Sequence, residues 1–162
     1  MQMVRTVSLI SKAQATKPDE IEAGLDLAPL AEPKTPQWQE AWRVTERLLE
    51  EVNNLSRKHG APMVMAMVPY AVQVHLDPSL RATVQERLGV PDLFYPERRL
   101  EAFGKARGID VIALAPQMQK ISQEQGRYLH GFDKARPGSG HWNEHGHHVA
   151  AEIIARRLCA AR

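Results

Sequence analysis

The chain has 162 residues, 43% hydrophobic and 25% charged, and its 21 lysines and arginines against 19 acids leave a formal net charge of +2. That length and balance suit one globular domain with a sizeable core. The basic residues are scattered or paired near helix ends, which argues against a nucleic-acid partner, and the single cysteine, Cys159, read as a small apolar helix residue, excludes a disulfide framework.

Met1 to Ala15 carries Val4, Val7, Leu9 and Ile10 at spacings that fit a helix and a strand equally. Arg5 interrupts the apolar run and no small-residue cleavage site follows, so the stretch does not read as a signal peptide; no later run approaches the roughly 18 apolar residues of a membrane span. Pro18, Pro29, Pro33 and Pro36 prevent a long helix, and residues 1–35 read as an N-terminal arm or connecting segment. Residues 36–162 form the domain proper.

Thr35-Pro36 reads as a helix cap with proline in the first turn. Trp38, Ala41, Trp42, Thr45, Leu48, Leu49, Val52 and Leu55 then recur at helical spacing, and His59-Gly60 ends the helix. Between Pro62 and Pro69 the run Met63-Val64-Met65-Ala66-Met67-Val68 is continuous, apolar and too short for a typical helix. It reads as a strand buried on both faces, hence part of a parallel sheet, with the methionines as adaptable core residues. Tyr70 and Gln73 follow the strand's carboxyl end, where open α/β sheets bind ligands, and are candidate substrate-binding residues; His75 reads as a surface or loop histidine. Asp77-Pro78 starts a short helix to about Leu88. A second amphipathic helix spans Pro96 to Arg107 and stops at Gly108. Ile109 to Ala115 is the second buried strand, closed by Pro116, and Gln117 to Gln125 is a short helix. The order of helices and strands calls for right-handed crossovers and a parallel sheet.

Tyr128 to Gly140 is a loop leading into a helix from Asn143 to about Ala160, with Val149, Ala150, Ile153, Ile154 and Leu158 on its apolar face and Arg156-Arg157 near its end. His141 stands where Gly138 and Gly140 free the backbone and the helix begins, a setting suited to a proton-transfer residue. His145, His147 and His148 read as exposed residues of the first turns.

The block Gly140-His141-Trp142-Asn143-x-x-Gly146-His147, followed by Val149-Ala150-Ala151-Glu152-Ile153-Ile154, resembles the C-terminal catalytic block of the SGNH (GDSL-type) hydrolases, a family of serine esterases and acyl hydrolases. The resemblance covers roughly Trp38 to Leu158 and is firmest in this last block. It implies a three-layer α/β/α fold around a parallel sheet, with His141 as general base and Asn143 and Gly146 at the helix entry; Asn143 joins Tyr70 and Gln73 as a substrate-binding candidate. The family's aspartate, two or three residues before the histidine, is replaced here by Gly138 and Ser139. Asp133 is therefore the candidate orienting acid, and the alternative is a Ser-His dyad.

Only two strands are strongly written, where an all-parallel sheet usually has five or six. The family's Gly-Asp-Ser block and its oxyanion glycine and asparagine do not occur in the sequence, and Ser139 shares the histidine's own loop without a preorganised turn. The expectation is thus an incomplete domain, the C-terminal portion of an SGNH hydrolase whose nucleophile and N-terminal half lie elsewhere. Its reaction would be hydrolysis or transfer at the ester of a small molecule or carbohydrate, with no cofactor and no metal. A non-catalytic packing or binding domain is the alternative. A third reading takes His141-x-x-Glu144-His145 as an inverted zinc-hydrolase motif, which needs both histidines on one helix; Gly138, Gly140 and Gly146 argue against that helix.

Overall fold

The computed structural model describes residues 24–132 and 136–160. Among these residues the elements in chain order are a 3₁₀ turn at Ala28–Leu30, helix α1 (Pro36–Lys58), strand β1 (Val64–Met67), a second 3₁₀ turn at Ala71–Val74, α2 (Pro78–Leu88), α3 (Tyr95–Arg107), β2 (Asp110–Ala113), α4 (Leu114–Gln125) and α5 (Glu144–Ala160). The architecture is mixed α/β and mainly helical, around a two-stranded parallel sheet in which Val64, Met65, Ala66 and Met67 pair with Asp110, Val111, Ile112 and Ala113.

Local chemistry sets the helix ends. Thr35 Oγ1 accepts from the Trp38 N–H at 3.4 Å with Pro36 in the first turn, and Asp77 Oδ1 accepts from the Ser79 N–H at 2.8 Å ahead of Pro78. Gly89, Gly108 and Gly126 close α2, α3 and α4 in the left-handed conformation. Helix α4 starts directly out of β2, three residues before the expected start at Gln117, and takes Pro116 into its first turn. A proline there costs no intrahelical hydrogen bond, so it does not close the preceding strand.

Helices pack on both sides of the sheet. On one side Trp42 of α1, Leu100 and Phe103 of α3 and Ile109 form a cluster against Met63, Met65, Met67 and Val111. Arg99 ties α3 to α1, 2.6 Å from Glu46 and stacked 4.8 Å over the Trp42 ring. Gly104 brings α3 onto β2, since a Cβ there would sit 2.4 Å from Val111 Cγ2. On the other side Ile112 joins Leu114 and Met118 of α4, Leu129, and Val149, Ala150 and Ile153 of α5. Leu114 and Met118 are fully buried, each burial contributing about 1.5–3 kcal/mol. In a third cluster Leu27 and Leu30, from the end of the expected arm, pack with Val72, Leu80, Val84 and Leu93, so this part of residues 1–35 belongs to the core.

Four expectations are corrected. Strand β1 is covered on one face only: Val64 and Val68 are 41% and 69% exposed, because the cluster holding Ile112 includes no β1 side chain. Helix α1 buries Trp42 and Asn53 but leaves Val44, Leu48, Val52 and Leu55 in solvent, since its contact with α3 runs along the turns bearing Trp42 and Leu49. His75 is buried, covered by the Tyr128 ring at 5.1 Å and the backbone of Gly138. At the end of α5, Leu158 is exposed rather than packed, while Cys159 lies in the helix as expected, with its side chain in solvent.

Candidate functional site

Residues 129–132 and 136–143 pair with each other through the backbone. His130 and Trp142 form an antiparallel bridge, the Gly131 N–H donates to the His141 carbonyl at 2.9 Å, and the Gly138 N–H donates to the His130 carbonyl at 2.9 Å. Gly131, Gly138 and Gly140 all adopt positive φ. At Gly138 the requirement is double, because a Cβ would also lie 2.5 Å from the His75 imidazole and 2.7 Å from Tyr128 Cδ1.

Asn143 explains much of the motif. Its Nδ2 donates to the carbonyls of Tyr128 at 2.9 Å and His130 at 3.4 Å, while Oδ1 accepts from the Gly146 N–H at 2.9 Å. It is the cap of α5 and the pin that holds residues 128–130 beside the helix entry. Gly146 completes the joint: a Cβ there would meet the Leu129 carbonyl oxygen at 2.1 Å. Asn143 is committed to backbone groups and is not among the residues lining the cavity described next.

This folding sets His141, exposed, on the rim of a cavity of about 670 Å³ at the carboxyl end of β1. Val68, Tyr70, Phe132 and Trp142 supply much of its wall, with His130 beside them. Tyr70 is half-buried and its hydroxyl donates to the Asp26 carbonyl at 3.2 Å. Of the sequence-derived candidates, His141 and Tyr70 meet here. Gln73 does not: it is fully buried, its Oε1 accepts from the Tyr70 N–H at 2.8 Å, and its Nε2 donates to the Leu93 carbonyl at 2.7 Å and to Glu97 Oε1 at 2.9 Å. It braces the turn after β1 instead of reaching a ligand. Asp133 lies outside the described residues.

Two residues unmarked by sequence reasoning are central. His130 is 3% exposed, and burial first, then the nearby His75 and His141, push its pKa down to about 4. It is neutral at physiological pH. Trp142 packs edge-on against His130 at 6.4 Å and His147 at 5.4 Å. Trp142 stood inside the motif beside His141, whereas His130 lies ten residues before the Gly140 that opens it and had only the neighbouring Gly131 as a signal. His75, also pushed down by burial, accepts the Asp77 N–H on Nδ1 at 3.1 Å, and its carbonyl accepts from Arg81.

The helical requirement of the zinc motif is unmet, since α5 begins at Glu144 and leaves His141 outside it; His145 Nε2 lies 2.7 Å from Gln125 Oε1. Among the described residues no group of three or more His, Cys, Asp or Glu side chains is placed to hold a metal ion. The cavity wall carries no serine, threonine or cysteine side chain among them, and the Ser139 hydroxyl donates to the Arg136 carbonyl at 3.0 Å. No known family model, curated protein or solved structure matches the chain.

Proposed function

We propose that this chain carries the base-bearing portion of an SGNH-type hydrolase acting on ester bonds, with His141 as general base. One observation carries the reading: an exposed histidine, held by paired backbone and a capped helix entry, stands on the rim of an apolar cavity at the carboxyl end of a parallel strand, where α/β sheets place their ligands. In this reading the helices packed around the two-stranded sheet belong to a three-layer domain with further strands. The hydroxyl nucleophile enters from outside the described cavity wall, and His141 takes its proton as it attacks the ester carbonyl. Asp133, on the same loop, orients the imidazole and stabilises the imidazolium. The ester is that of a small molecule or an acylated carbohydrate.

The test is turnover of 4-nitrophenyl acetate by the chain alone and by the chain complemented with a serine-bearing N-terminal portion. Alone, it should react no faster than His141→Ala. Complemented, it should lose about three orders of magnitude or more on His141→Ala and fall strongly on Asp133→Asn. Equal turnover with and without His141 in the complemented protein would sink the base assignment. A second reading, a non-catalytic binding domain, is favoured by the lack of a hydroxyl or thiol on the described wall; it predicts saturable ligand binding without turnover in either form.

A further inference from the structure

The cavity holds an unsettled account of hydrogen bonds. His130 Nδ1 and Trp142 Nε1 are both shielded from solvent and have no hydrogen-bond partner, and both residues line the cavity. Two such nitrogens on adjacent, edge-packed rings are unusual, because leaving a buried polar group unmade costs about 1–3 kcal/mol. Other polar groups nearby are engaged elsewhere: Asn143 and Gly138 bond the loop backbone, and the Tyr70 hydroxyl reaches Asp26. The rest of the wall combines the apolar Leu25, Val68, Pro69 and Phe132 with the exposed imidazoles of His141 and His147 at the rim.

We propose that Trp142 and His130 form a polar anchor for the oxygen-bearing end of an apolar ligand seated in this cavity. Tryptophan Nε1 can only donate, so the ligand must present an acceptor there; neutral His130 can donate or accept at Nδ1. The class that fits is an aliphatic or aromatic body bearing a carbonyl or carboxylate oxygen. An alkylammonium ion, with no acceptor, does not fit. Both nitrogens are shielded from solvent, so the ligand's oxygen reaches them only as the wall in front of them yields. The assignment rests on the cavity alone and holds whether or not His141 serves as a base.

The indole N–H gives a direct readout. In a ¹H–¹⁵N spectrum the chain shows three indole signals, from Trp38, Trp42 and Trp142, and Trp142→Phe identifies the last by its loss. Titration with 2-octanone, which only accepts hydrogen bonds, should move the Trp142 indole proton downfield and saturably while the Trp38 and Trp42 signals stay. Trp142→Phe keeps an aromatic ring and removes the donor; it should weaken 2-octanone binding about fivefold, as expected for one hydrogen bond, while Trp38→Phe leaves it within about twofold. The proposal fails if the backbone signals of Val68 to Ala71 shift and the Trp142 indole signal does not, if Trp142→Phe binds as tightly as the parent, or if nothing saturates. Because no turnover is measured, none of these outcomes depends on ester chemistry.

Discussion

Strands β1 and β2 are four-residue partners in one parallel ladder, yet they sit in different surroundings. Ile112 and Ala113 of β2 are buried beneath α4 and α5, whereas Val64 and Val68 at β1 are 41% and 69% exposed. The same contrast divides the helices. Trp42 of α1 is buried against α3, while Val44, Leu48, Val52 and Leu55 of the same helix face solvent. A run of apolar side chains records that a strand has the composition of a core, but whether a helix lies over it is decided by the chain's path elsewhere. Parallel strands are ordinarily covered on both faces, so β1 is where this molecule departs from the rule.

The contrast is broken most forcefully at β2. Ile112→Ala should cost about 2–5 kcal/mol in chemical denaturation, the penalty of a cavity between β2, α4 and α5; a loss below about 1 kcal/mol would mean that side is loosely packed. A second measurement concerns protons. His130, beside Leu129 on the covered side, has a folded pKa near 4 against 6.5 for the free residue. The unfolded chain therefore binds this proton first. The stability tied to neutral His130 is complete above about pH 6.5, is lost progressively as pH falls to about 4 and is gone below that, roughly 3 kcal/mol in all. His75, shifted the same way, adds to the loss. His130→Phe should flatten this part of a pH–stability profile, and an unchanged slope would contradict the buried placement. The smallest effect belongs to β1's bare face, where Val64→Thr should change stability by no more than about 0.5 kcal/mol. A larger cost would show that the face is covered in solution.

Much of the scaffold was legible. Helix caps at Thr35-Pro36 and Asp77-Pro78, stops at His59-Gly60 and Gly108, and the two apolar runs gave the element order because each signal acts within a few residues. Tyr70 and His141 could be singled out because ends of strands and entries to helices are local features. Gln73 and Asn143 were placed in the right neighbourhood, but their side chains turn to Leu93, Glu97, Tyr128 and His130, partners up to twenty-four residues away. The burial of His75 and His130 was illegible for a related reason: it depends on Tyr128 and Gly138 closing over one and on Trp142 packing against the other, contacts made only when the loop folds back.

The Asn143 pin also has a mechanical meaning. One amide joins the first turn of α5 to the carbonyls of Tyr128 and His130, and Gly146 lets the Leu129 carbonyl sit directly on that turn. Loop and helix entry are thereby riveted, and α5 is in turn held through Val149, Ala150 and Ile153 in the cluster around Ile112. The rim that carries His141 cannot open as an independent flap while that rivet holds. It shares the cooperativity of the C-terminal helix, so a segment built from glycines and surface polar residues draws its rigidity from the centre of the domain.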